Sequence, residues 1–80
     1  MTAGTQRGED RRWPSTKAKR VKAALLRAGW RVARQHGTSH AVLDHPQRGT
    51  YLWAFHDSEE IGPRMMGRIA KATGLTQEDL

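Results

Sequence analysis

Trp30-Arg31-Val32-Ala33-Arg34-Gln35, then Gly37-Thr38, then Ser39-His40-Ala41-Val42-Leu43-Asp44 is the stretch that decides the fold. The first run alternates with period two and predicts a strand. Gly37-Thr38 turns the chain, and Ser39 to Asp44 predicts a second strand. His45-Pro46-Gln47-Arg48-Gly49 places proline at the second turn position and ends on a glycine able to take positive φ, so another reversal follows. Thr50 to Phe55 is rich in β-formers and predicts a third strand. Turns this short make the three strands antiparallel.

Helical patterns flank this stretch on both sides. Pro14-Ser15 opens the first, with Ser15 or Thr16 as its cap. Ala18, Val21, Ala24, Leu25 and Ala28 then form one apolar stripe, and Gly29 sits where a left-handed terminating residue belongs. Gly62-Pro63 starts the second helix with proline at its first position. Met65, Met66, Ile69 and Ala72 make its core face, Arg64, Arg68 and Lys71 make a basic stripe, and Gly74 ends it. Each helix has a single apolar stripe, so both cover the same sheet face. The expected fold is α+β, a two-layer α-β-β-β-α domain like a double-stranded-RNA-binding domain, with a three-stranded antiparallel sheet covered on one face by two helices. Residues 1–14 lack periodicity and read as a flexible N-terminal tail, from which Trp13 could pack back onto a domain spanning residues 15–80.

Eighty residues allow one domain with a thin core. The net charge of +6 and a pI near 10.8 predict a polyanionic partner: nucleic acid, an anionic membrane or an acidic protein. Membrane is the weakest of the three, because the apolar runs are only a few residues long. The chain has no cysteine, which excludes disulfides and thiolate metal sites. Together with the lack of an N-terminal apolar stretch, this makes the cytoplasm the expected location.

The charge is one-sided. Nine of the fourteen Lys and Arg residues fall between Arg11 and Arg34, and no Asp or Glu occurs from Arg11 to Leu43. Pairing along the first helix therefore cannot account for its basic face. Lys17, Lys19, Arg20, Lys22, Arg31 and Arg34, with Ser39, are the candidate RNA contacts. His40 sits at the edge of this field. RNA carries its own nucleophile, the 2′-hydroxyl, and an imidazole within hydrogen-bond reach can take that proton near neutral pH. Cations can stabilise the charge that develops on the phosphoryl oxygens.

His56, at the end of the third strand, is a second candidate, either for proton transfer or for substrate contact; its ordinary role would be a strand-end residue held by Asp57 or backbone. His36 and His45 flank turns and read as solvated turn residues. No His, Asp or Glu pair has a ligand spacing on a regular element, so no metal site and no cofactor are expected. Trp30, Tyr51, Trp53 and Phe55 could stack unpaired bases, against the simpler expectation that a small domain spends large rings on its core. Either Tyr51, Trp53 and Phe55 or the alternating Leu52 and Ala54 could face the helices.

Several segments carry a family resemblance: Leu25-Leu26-Arg27-Ala28-Gly29-Trp30, Arg34-Gln35-His36-Gly37-Thr38-Ser39-His40, Phe55-His56-Asp57, Ile61-Gly62, and Arg68-Ile69-Ala70-Lys71-Ala72-Thr73-Gly74-Leu75. In order and spacing they resemble the HicA family of toxin ribonucleases. The resemblance implies the helix–three strands–helix fold and a toxin of a type II toxin-antitoxin system. It implies an endoribonuclease, an mRNA interferase that cleaves mRNA without a metal, with His40 as the catalytic histidine. It implies a HicB-like acidic antitoxin as partner. Where many members carry a second histidine or a large residue directly after the catalytic one, this chain has Ala41, and where many have proline it has Ala54. The alternative from fold and charge alone is a non-catalytic RNA-binding module, and a third is an adaptor for an acidic protein.

Overall fold

A computed structural model describes residues 13–80. The expected tail lies outside the described residues as far as position 12. The elements in order are β1 (Thr16–Lys17), α1 (Ala18–Arg27), β2 (Arg31–His36), β3 (His40–His45), β4 (Gly49–Trp53), β5 (Glu60–Ile61), α2 (Pro63–Thr73) and a 3-10 turn, Gln77–Asp79. The protein is α+β. A three-stranded antiparallel sheet ordered β2-β3-β4 is covered on one face by two helices, and β1 and β5 form a separate two-stranded ribbon.

The ribbon corrects the expected start of the first helix. Neither Ser15 nor Thr16 caps it. Lys17 stands at the N-cap in an extended conformation with no side-chain cap. Thr16 pairs with Ile61, and its hydroxyl donates to the Pro14 carbonyl at 3.0 Å. The amides of Ala18 and Lys19 instead donate to the carbonyls of Glu59 and Asp57, at 2.8 and 3.1 Å. A remote loop thus satisfies donors that a local side chain usually would.

The other end of α1 follows the sequence. Gly29 has φ +107°, its amide donates to Leu26, and the amide of Trp30 donates to Leu25 at 3.0 Å. These are the paired bonds of a Schellman motif. A Cβ on Gly29 would also lie 3.0 Å from Nε2 of His45. At the end of α2, Gly74 has φ +79°, and the Arg48 guanidinium fills the space that a Cβ there would take.

Ala18, Val21, Ala24 and Leu25 are buried, as are Met66 and Ile69, and Met65 packs partly buried beside them. Two expected core positions, Ala28 and Ala72, are exposed. Ala28 is already at the helix cap. In α2 the neighbouring Thr73 is buried in place of Ala72. Its hydroxyl donates to the Ile69 carbonyl at 2.6 Å and accepts from the Leu75 amide, so it enters the core without an unmet hydrogen bond.

The strands sit within one or two residues of their expected bounds. Trp30 leaves β2 for the core, where its Nε1 donates to the Thr73 carbonyl at 3.3 Å. Within β2, Val32 pairs with Leu43 but Arg34 pairs with Val42, so Ala33 is an extra residue and the strand bulges. The sheet's inner face carries Ala41, Leu43, Tyr51 and Trp53, all buried or half-buried. Phe55 meets Trp53 edge-on at 5.0 Å, and Tyr51 meets Trp30 edge-on at 6.5 Å. Tyr51, Trp53 and Phe55 therefore face the helices, while Leu52 is 68% exposed on the far side. Trp30 and Trp53 are buried and Tyr51 and Phe55 pack partly buried against the core, so the rings considered for base stacking serve the core, and Trp13 packs onto the domain as well. Burial also pushes the Tyr51 phenol above its ordinary pKa. Among the described residues no helix is long and apolar enough to cross a membrane.

Candidate functional site

The outer face of the sheet, turned away from the helices, follows from the register. Residues directly opposed across antiparallel strands project to the same side. His36 opposes His40, Arg34 opposes Val42, and Arg31 opposes Asp44; Val42 and Asp44 in turn oppose Leu52 and Thr50. His40 precedes the buried Ala41, so it lies on the outer face with these partners. The bulge matters here. Without an extra residue, Arg31 and Arg34 would project to opposite sides of a regular strand. With Ala33 looped out, both reach the outer face.

His40 is exposed, and its Nδ1 lies 3.3 Å from the Ser39 hydroxyl. Its carbonyl accepts from Gln35 Nε2 at 3.3 Å, and the same amide reaches the Gly37 carbonyl at 3.1 Å. Gln35 thus braces the turn that presents the histidine. Ser39, expected as an RNA contact, is the neighbour that orients the His40 ring.

The candidate cations divide into three groups. Arg34 is two residues from His36 on the same face, and its guanidinium has no polar partner among the described residues. Arg31 pairs with Asp44, Nε to Oδ1 at 3.4 Å, and that carboxylate oxygen makes no hydrogen bond. Lys17 lies on β1 instead, donating to the Ser58 carbonyl at 3.2 Å and standing 3.8 Å from Glu60. The ion pair is exposed and worth little. Lys19, Arg20 and Lys22 belong to α1, in the other layer of the fold. Arg20 donates to the Leu80 carbonyl at 3.2 Å, as Arg27 does to that of Asp79 at 2.6 Å, so these two hold the terminal turn.

The remaining histidines separate clearly. The backbone amide of His56 donates to Glu59 Oε1 at 3.0 Å, in a turn three residues beyond β4, and no hydrogen bond joins it to His40 among the described residues. His45 is not a solvated turn residue. Its Nδ1 accepts from the Gln47 amide at 3.1 Å, so the proton is on Nε2, which donates to the Ala28 carbonyl at 3.3 Å. Its ring also lies on Trp30, with centroids 5.2 Å apart. Among the described residues no three His, Asp or Glu side chains come together in a way that could hold a metal ion.

Sequence reasoning missed the pairing of His36 with His40. The signal was present: a three-residue loop between two strands makes the residues on either side of it partners.

No curated protein and no solved structure gives a match to this chain. A family model described as the HicA toxin of bacterial toxin-antitoxin systems matches residues 18–75. The match runs from the first residue of α1 to just past α2 and takes in the whole sheet with His40. On that coverage, this chain belongs to the HicA family, the toxins of bacterial toxin-antitoxin systems.

Proposed function

We propose that this toxin is a metal-independent endoribonuclease that cleaves mRNA in the cytoplasm with His40 as general base, and that a HicB-like acidic antitoxin holds it inactive. The observation that carries the reading is the placement of His40. It is exposed at the mouth of a braced turn, on the same sheet face as the unpaired Arg34.

As a base, His40 takes the tautomer in which Nδ1–H donates to the Ser39 hydroxyl. That leaves the Nε2 lone pair open to accept the proton of a 2′-hydroxyl. Arg34 stands where it can neutralise phosphoryl oxygens as negative charge builds on them. Lys19 and Lys22, with Arg20 and Lys17, offer a second set of phosphate contacts that supply affinity without sequence information. The net charge of +6 suits both the RNA and an acidic inhibitor.

The test is cleavage of mRNA by purified protein and by His40→Ala. The substitution is on an exposed strand position, so the fold should survive and cleavage should fall by about 10²–10⁴-fold. Added EDTA should change nothing. Equal cleavage by the two proteins would refute His40 as base and leave an RNA-binding module as the reading. Loss of activity in EDTA would refute the metal-free mechanism.

A further inference from the structure

The geometry points to a second proton-transfer group: His36 is the general acid that protonates the leaving 5′-oxygen. This rests on the ribonuclease reading above and deepens it.

His36 is the direct cross-strand partner of His40, and the two form the last pair before the turn. Opposed strand residues root their side chains about 4.5–5.5 Å apart on one face. Both histidines are exposed, and the His36 ring makes no hydrogen bond or ion pair among the described residues. The other two histidines lack this combination. His45 spends both ring nitrogens on the fold, and His56 lies beyond β4 with no register linking it to His40. Two imidazoles rooted this close can splay to hold a phosphoryl group between them, with one hydrogen bond of about 2.8 Å on either side. Arg34, two residues from His36 on the same face, is placed to hold the non-bridging oxygens.

The chemistry then balances. The 2′-oxygen attacks phosphorus, and its proton passes to neutral His40. The P–O2′ bond forms as the P–O5′ bond breaks. The departing 5′-oxygen takes a proton from protonated His36. The products are a 2′,3′-cyclic phosphate and a 5′-hydroxyl, with His40 protonated and His36 neutral, and exchange with water restores both. A base alone would leave the 5′-oxygen to depart as a poorly stabilised alkoxide. An acid aligned with it removes that burden.

The experiment compares two RNA oligonucleotides, one ordinary and one with sulfur replacing the bridging 5′-oxygen at the cleaved bond. A thiolate leaves without needing a proton. His36→Ala should cut the ordinary RNA about 10²–10⁴-fold more slowly than wild type, yet cut the sulfur-bridged RNA at close to the wild-type rate. His36→Gln, which keeps a polar side chain but cannot act as an acid, should behave the same way. His40→Ala should be slow on both. Equal losses on both substrates for His36→Ala would make His36 a positioning or structural residue. Undiminished cleavage of ordinary RNA would remove it from the reaction. Either result overturns the proposal while leaving His40 as base. If wild-type protein cuts neither oligonucleotide nor mRNA, the ribonuclease reading itself falls, and the role of His36 with it.

Discussion

His45 Nε2 donates to the carbonyl of Ala28 across 3.3 Å, tying the end of β3 to the end of α1. Ala28 is at the helix cap, where carbonyls lack helical partners. His45→Ala should therefore remove this bond, the bond from the Gln47 amide and the packing on the Trp30 ring together. The expected cost is about 1–3 kcal/mol, read as a lower urea midpoint with an unchanged slope. RNA cleavage by the protein that remains folded should match wild type. Gly29→Ala should also destabilise, because φ is +107° and the new Cβ meets the same ring. A fully stable His45→Ala protein would refute the tie.

The α1 lysines and Arg34 should respond differently to salt. Lys19→Glu with Lys22→Glu should weaken RNA binding and flatten its dependence on salt, by about 0.7–0.9 in slope for each phosphate no longer neutralised. Arg20 is best left in place, because it also holds the Leu80 carbonyl. Arg34→Ala should act mainly on the rate of cleavage. Unchanged affinity in the α1 variant would assign that face to solvent.

The antitoxin should cover the outer face of the sheet. Hydrogen exchange on the complex should show new protection around His40 and Arg34, extending to part of α1. Exposed Leu52 and half-buried Val42, on that outer face, offer apolar area for it. Protection confined to α2, with the strand around His40 as open as in the free protein, would reject occlusion and require inhibition from a distance.

Tyr51 predicts a limit in alkali. Its phenol titrates higher in the folded protein than in the unfolded chain, where the ordinary value is about 10. The contribution is complete below about pH 10 and is lost as pH rises through the folded value, because the unfolded chain then gives up its proton more readily. Tyr51→Phe should remove this part of the alkaline fall in stability, measured by urea unfolding across that range. An unchanged alkaline slope would place the effect elsewhere.

Local chemistry explains which features could be read from sequence. Gly29 and Gly74 end their helices as expected, because a left-handed cap is a property of one residue and its neighbours. The order helix, three strands, helix follows from two periodicities and two turns. The start of α1 could not be read this way. Thr16 pairs with Ile61, some forty-five residues away, and the first-turn amides are satisfied from the loop before β5. Ala33 was equally hidden, since a bulge depends on what the partner strand aligns with. The place of His40, exposed at the start of a strand just after a turn, was legible from Gly37-Thr38. Lys17 and Arg31 drew attention as cations, but whether their charges are answered depends on Glu60 and Asp44, which only the folded chain brings to them.

The bulge at Ala33 has a consequence beyond the aim of two arginines. β2 is an edge strand of its sheet, and all six of its residues are exposed. A straight, uncharged edge of that length is a template for pairing with another copy, and thus for fibres and precipitates. The extra residue bends the strand and breaks its regular ladder, while Arg34 places an unpaired charge along it. Any molecule without a partner on this edge meets others of its kind with it bare. The same irregularity that turns Arg31 and Arg34 to one face also discourages such molecules from sticking to one another.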